Sequence, residues 1–195
     1  MTAQWPDVGC TDRTVPKHGR TQPENEDSFD GNRASGRYAL SDGASTAARS
    51  EVWSRILTEA FVREKSDPLD ADSLADLRDR WWKQVANGPL PWYAQAKLLE
   101  GSAATFLGIT FAQGHFRAEA MGDSCLFHVR RDELLAVGPL VRSDQFTRTP
   151  PLVYTHPSVE LAETDVWVLE GEYRRGDAFV LATDAVAKHL LRRHE

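Results

Sequence analysis

Three short runs of apolar, strand-forming residues in this chain each end in an acid. They are Tyr38-Ala39-Leu40-Ser41-Asp42 before Gly43, Ala120-Met121-Gly122-Asp123 before Ser124, and Phe179-Val180-Leu181-Ala182-Thr183-Asp184. Asn25-Glu26-Asp27-Ser28 adds a fourth acidic stretch. A carboxylate at the end of a buried strand points into whatever lies beyond the sheet edge. Several such ends converging make a hard, oxygen-lined site of the kind that holds Mg²⁺ or Mn²⁺. Asp-Gly, Gly-Asp and Asn-Glu-Asp are also ordinary turn residues after strands. The recurrence of the pattern in one chain carries the reading of a metal-dependent hydrolase.

With 195 residues, the chain fits one domain, residues 1–195, with room for a substantial core. A composition 41% hydrophobic and 27% charged is that of a folded protein, and no apolar run reaches the length of a membrane span. The N-terminal residues carry neither a basic region nor an apolar one, so no secretory signal is visible and a cytoplasmic location is expected. A formal net charge of −6 argues against nucleic acid as the main partner. Cys10 and Cys125 are too few for a disulfide framework or a zinc quartet and read as buried free thiols. The six histidines form no zinc-protease pattern, and His115, His128 and His156 are expected in strands or at the surface.

The segment before Gly36 reads as a strand, then a loop carrying Glu26 and Asp27, then a turn at Asp30-Gly31-Asn32. After Asp42-Gly43 the spacing of Trp53, Ile56, Leu57, Ala60 and Phe61 predicts a helix, with Ser45 or Thr46 as its cap, stopped near Pro68. A second helix is expected from Asp72 to Ala86, with Leu74, Leu77, Trp81 and Val85 on one face. A third, from Trp92 to Leu99, places its aromatic pair in the core. Four strand-like runs follow, Ala103 to Phe111, Phe116 to Met121, Cys125 to Val129 and Leu134 to Val137, as a meander with turns at Gln113-Gly114, Gly122-Asp123 and Arg131-Asp132. A proline-rich surface loop runs from Gly138 to Ser158, and Arg142 with Arg148 makes a local cationic cluster. Two last strands and a helix from Val186 complete an order that does not alternate as βαβ. The class is α+β.

Taken together, the motifs resemble the metal-dependent protein phosphatase family, the type 2C serine/threonine phosphatases, in its bacterial form. The matching stretches are Asn25-Glu26-Asp27-Ser28, Leu40-Ser41-Asp42-Gly43, Gly101-Ser102-Ala103-Ala104-Thr105, Met121-Gly122-Asp123-Ser124 and Gly176-Asp177 through Asp184, all in family order. The resemblance implies two stacked antiparallel sheets flanked by helices, an α-β-β-α sandwich. It implies two Mg²⁺ or Mn²⁺ ions, with Asp42 bridging them and the Gly43 carbonyl ligating one. Glu26 and Asp27 would hold metal-bound waters, Asp184 would ligate the other ion, and Asp123 with Asp184 would help hold a weaker third. Asp42 and Asp184 would be the catalytic pair. The family's phosphate-binding arginine lies nearer its glutamate than any cation here, and Arg20 takes that place, with Lys17 the other choice.

Three further departures matter. The family's final acidic motif and last strand are not in this chain, so the domain is expected to be C-terminally incomplete, as in a piece of a larger enzyme, with one ligand of the full set missing. Ala44-Ser45 stands where some relatives have a histidine proposed as general acid. Ala185 replaces a common glycine after Asp184. Two readings follow. One is a phosphatase hydrolysing phosphoserine or phosphothreonine on proteins through a metal-activated water. The other is a catalytically weak or inactive phosphatase-like module that binds a phosphorylated protein partner. Either implies protein partners such as a signalling protein or its kinase, and neither nucleic acid nor membrane.

Overall fold

The structure is a computed structural model, and it describes residues 8–16, 19, 21, 24–87 and 92–195. Strand β1 (Asp27–Asn32) runs antiparallel to β2 (Arg37–Asp42), with Asp27 directly opposite Asp42. The turn joining them is Arg33 to Gly36, so Asp30-Gly31-Asn32 belongs to the strand and Asp27 begins it. The Asn32 side chain explains the shift, because its Oδ1 accepts from the amides of Ala34 and Ser35 and closes the turn two residues later. Residues 8–16 form no strand among the described residues, but Val8 packs on the core and its carbonyl accepts from the Tyr38 hydroxyl at 2.9 Å.

Helix α1 (Ser50–Glu59) starts later than its spacing suggested. Neither Ser45 nor Thr46 caps it. Arg49 does so in a left-handed conformation, φ 51°, after a run of turns. The Ser45 hydroxyl is engaged elsewhere, donating to Glu26 Oε2 at 2.8 Å. The helix widens into a π turn over Ala60–Glu64. That leaves the Phe61 carbonyl to accept from Arg37 Nε at 2.7 Å, while the same guanidinium lies over the Phe61 ring. Helix α2 (Ala71–Val85) is capped by Asp70, whose carboxylate accepts from the Ser73 amide, and buries Leu74, Leu77, Trp81 and Val85 as its period requires. Helix α3 (Trp92–Glu100) ends at Gly101, φ 82°. The side chains of Trp92 and Tyr93 lie outside the described residues.

The run from Ala103 is two strands, β3 (Ala103–Ala104) and β4 (Phe106–Ala112), broken at Thr105. Next come β5 (His115–Met121), β6 (Cys125–Arg130) and β7 (Glu133–Gly138), then β8 (Val153–Tyr154), β9 (Trp167–Glu172), β10 (Asp177–Ala182) and α4 (Asp184–His194). These do not form the single meander that the turns suggested. A five-stranded sheet has the order β1-β2-β4-β5-β9, a three-stranded sheet the order β10-β6-β7, and β3 pairs with β8. Gln113-Gly114 and Arg131-Asp132 are hairpin turns with positive φ. Gly122-Asp123 is instead the corner where the chain leaves one sheet for the other. Nor is the segment from Gly138 to Ser158 only a surface loop: Val153 is fully buried and its carbonyl accepts from the Trp53 indole at 2.8 Å.

The sheets face each other across Tyr38, Leu107, Ile109, Phe116, Ala118 and Leu126, with Phe179 and Leu181 joining from β10. Helices α1 and α2 bury Trp53, Ile56, Leu57 and Trp81 over the outer face of the five-stranded sheet. Helix α4 buries Ala187 and Leu191 against Cys125 and Phe127 of the three-stranded one. The layers are helix, sheet, sheet, helix. Apolar burial on both faces of each sheet holds them together.

Candidate active site

Strand direction brings the acids to one place. β1 begins, β2 ends, β4 begins and β5 ends at the same edge of the five-stranded sheet, as their registers show. β6 begins and β10 ends at the corresponding edge of the other, where Cys125 faces Ala182. Asp27, Asp42, Asp123 and Asp184 therefore all sit at one end of the sandwich.

Asp27 and Asp42 are cross-strand neighbours, and by the two-residue alternation of strands both share the face that carries Phe29 and Leu40. Glu26 lies one residue earlier. Its carbonyl accepts from the Gly43 amide at 3.0 Å and from the Ser54 hydroxyl at 2.7 Å. Gly43 has no room for a side chain, since a Cβ there would stand 2.8 Å from Ser50 Cβ and 3.0 Å from the Glu26 carbonyl. Only glycine allows the backbones of residues 26, 43 and 50 to approach this closely.

Asp123 and Asp184 form the second pair. Asp123 is buried at the sheet-to-sheet corner, whereas Asp184 is exposed as the first residue of α4, its Oδ1 accepting from the Ala185 amide. Burial pushes the Asp123 carboxyl above the usual carboxylate range, and the nearby Asp184 charge pushes it further. Thr105 links the two pairs: its hydroxyl accepts from the Asp42 amide at 2.9 Å and lies 2.9 Å from the Ser124 hydroxyl. Thr105 and Ser124 both lie inside the sequence motifs, where nothing implied a role for either. Arg20 and Lys17 lie outside the described residues.

Asp177 behaves differently. It opens β10 with its side chain 2% exposed, accepting from Arg130 at 2.6 and 2.8 Å and from the Arg174 amide at 3.0 Å. His128 Nε2 lies 2.9 Å from it, on a ring that is itself buried and stacked on Phe179. Arg130 holds the Asp177 carboxyl far below the usual range. This acid is structural. Of the remaining readings, Cys125 is buried but Cys10 is exposed, and Arg142 is bonded to Asp144.

A cleft of about 710 Å³ opens beside Asp27. Phe29 and Leu40 line it from the five-stranded sheet and Phe179 and Leu181 from β10, with Arg175 also in the lining. Among the described residues β10 pairs only with β6, so its other edge faces this cleft.

The donors at the acidic end are all oxygens, which suit Mg²⁺ or Mn²⁺ over softer ions. Among the described residues no three His, Cys, Asp or Glu side chains gather closely enough to hold one ion. Pairs of carboxylates completed by a carbonyl and waters still fit Mg²⁺, which commonly keeps several waters and takes one or two carboxylates.

Residues 16–195 match the family model described as protein phosphatase 2C, and the chain belongs to that family. No curated protein matches it. Among solved structures, the serine/threonine phosphatase Stp1 from Staphylococcus aureus is 11% identical, with TM-score 0.63, over 100% of this chain and 84% of that one. The catalytic domain of the serine threonine protein phosphatase PstP, solved with two manganese ions, is 19% identical, with TM-score 0.52, over 90% and 86%. The photosystem II phosphatase PBCP is 18% identical, with TM-score 0.59, over 86% of this chain. The chain spans 62% of the length of PBCP. At these identities the likeness is one of fold. No helix among the described residues is long and apolar enough to cross a membrane.

Proposed function

We propose that the chain is a Mg²⁺- or Mn²⁺-dependent phosphatase acting on phosphoserine or phosphothreonine of proteins. The observation that carries the reading is the meeting of two acidic pairs, Asp27 with Asp42 and Asp123 with Asp184, at one end of a sandwich of the phosphatase 2C family. Like charges placed together cost stability unless a cation lies among them. Asp42 and the Gly43 carbonyl would serve as central ligands, Asp184 as the ligand on the second sheet, Glu26 and Asp27 as holders of metal-bound water, and Asp123 as an accessory. Ions of this type, when bound, would supply an activated water and neutralise phosphoryl oxygens, the chemistry that phosphoester hydrolysis needs. The protein's own residues then have two tasks. Carboxylates fix the geometry, and the Ser45 hydroxyl orients Glu26 from the loop after Gly43. Arg20 is the proposed phosphate contact.

Hydrolysis of p-nitrophenyl phosphate and of a phosphothreonine peptide with Mn²⁺, beside the Asp42→Ala variant, tests the reading. A loss of at least about 100-fold in Asp42→Ala is expected, and equal rates overturn it. A binding module without turnover is the second reading. It is favoured by the lack of a three-acid cluster among the described residues. Mn²⁺ binding with no hydrolysis in the parent protein would establish it.

A further inference from the structure

The two acidic pairs stand on different sheets, and sheets packed face to face meet through interdigitating side chains and share no ladder hydrogen bonds. A metal site needs its ligands within about 0.5 Å of a working position. Something must tie the pairs together.

The tie is visible at Thr105. Its amide donates to the Asp42 carbonyl at 2.9 Å, and its hydroxyl accepts from the Asp42 amide at 2.9 Å. Its carbonyl accepts from the Ser41 hydroxyl at 2.6 Å. The Thr105 hydroxyl also pairs with that of Ser124, the residue next to Asp123. Thr105, Ser124 and Ser41 are 3%, 1% and 0% exposed, so these bonds form without competition from water. The corner itself is shaped around Thr105. Gly122 takes φ 117°, and a Cβ there would stand 2.7 Å from Thr105 Cγ2. The strand break at Thr105 has the same cause, since its side chain takes the Asp42 amide beyond the last β2–β4 pair, Leu40 with Leu107.

We propose that Thr105 and Ser124 are a positioning pair whose buried hydroxyls fix the spacing between Asp42 on one sheet and the Asp123 corner on the other, and thereby set the affinity for a divalent metal. The proposal rests on the metal-dependent reading above, but its first link, from Thr105 to the Asp42 amide, is independent of any metal. Neither residue touches substrate. They act through the backbone that carries the Asp42 and Asp123 carboxylates, as outer partners of metal ligands act through the groups they position.

The test compares Thr105→Val, Thr105→Ser and Ser124→Ala with the parent protein. It uses calorimetric titration with Mn²⁺ alone, amide hydrogen exchange at Asp42, and circular dichroism to verify folding. Thr105→Val is expected to fold, to lose about 10- to 100-fold in Mn²⁺ affinity, and to exchange the Asp42 amide faster. Thr105→Ser keeps the hydroxyl and should restore both. Ser124→Ala should weaken Mn²⁺ binding while leaving Asp42 exchange at the parent rate. Parent-like Mn²⁺ affinity in Thr105→Val overturns the proposal, as does failure of Thr105→Ser to rescue, which would assign the effect to methyl packing. If Thr105→Val does not fold, unchanged affinity in Ser124→Ala overturns it. A parent protein that binds no Mn²⁺ sinks the metal reading by itself, and Asp42 exchange in Thr105→Val then decides the tie, unchanged protection overturning it.

Discussion

β10 carries an acid at each end, and the two live under opposite electrostatics. Asp177, at its start, sits among Arg130, His128 and the Arg174 amide with its charge fully answered. Asp184, just past its end, faces another acid, Asp123, whose carboxyl is destabilised by burial and by that neighbour. The same residue type at the two ends of one strand thus serves two purposes. Where donors surround a carboxylate it locks the fold; where a buried carboxylate faces another, the fold carries a cost that a cation or a proton removes.

Breaking the locked end should have the largest effect. Asp177→Ala leaves Arg130 and His128 without their shared partner, and a loss of about 3 kcal/mol is expected in urea unfolding, with Mn²⁺ affinity unchanged. At the other end, Asp42→Ala should cost about 2.7 kcal/mol of transition-state stabilisation, read as the 100-fold fall in hydrolysis, while its unfolding midpoint stays near that of the parent. A variant that lost stability instead would make Asp42 structural and erase the contrast. Asp123→Asn sharpens it further. Removing one of two facing charges should stabilise the metal-free protein by about 1 kcal/mol at pH 7 and weaken its response to Mn²⁺.

The smallest effect is in the pH profile, and the two acids have opposite signs. The Asp177 carboxyl is held down in the fold, so its contribution is present above the ordinary carboxylate range and is lost only as acid titrates it below that range. The Asp123 carboxyl is pushed up, so its ionisation costs stability at neutral pH and protonation relieves the cost first as pH falls. The stability gap between Asp123→Asn and the parent should therefore narrow from pH 7 toward pH 4. A constant gap would mean that Asp123 carries no such cost.

Much of this was legible in the sequence, for identifiable reasons. Leu74, Leu77, Trp81 and Val85 announced a helix face because a 3.6-residue period has no other use. Strand ends at Asp42, Asp123 and Asp184 were visible because apolar runs stopped at them. The pairing of sheets was not legible: Gly122-Asp123 has the composition of a hairpin turn, and only the register of β6 with β10 shows that it is a crossover. The cap of α1 was missed because Ser45 had a competing acceptor in Glu26, distant in sequence and adjacent in space. Thr105 and Ser124 were plain motif letters until their hydroxyls were found 2.9 Å apart.

The sequence by itself determined most of the element types, the family to which the chain belongs, and that Asp42, Asp123 and Asp184 would stand at or just past strand ends, because periodicity, turn chemistry and motif order are local properties. Tertiary structure alone decided which acids face cations and which face one another. That depends on which strands pair, and pairing is settled by burial and hydrogen bonding between segments as far apart as Asp42 and Thr105, or His128 and Asp177.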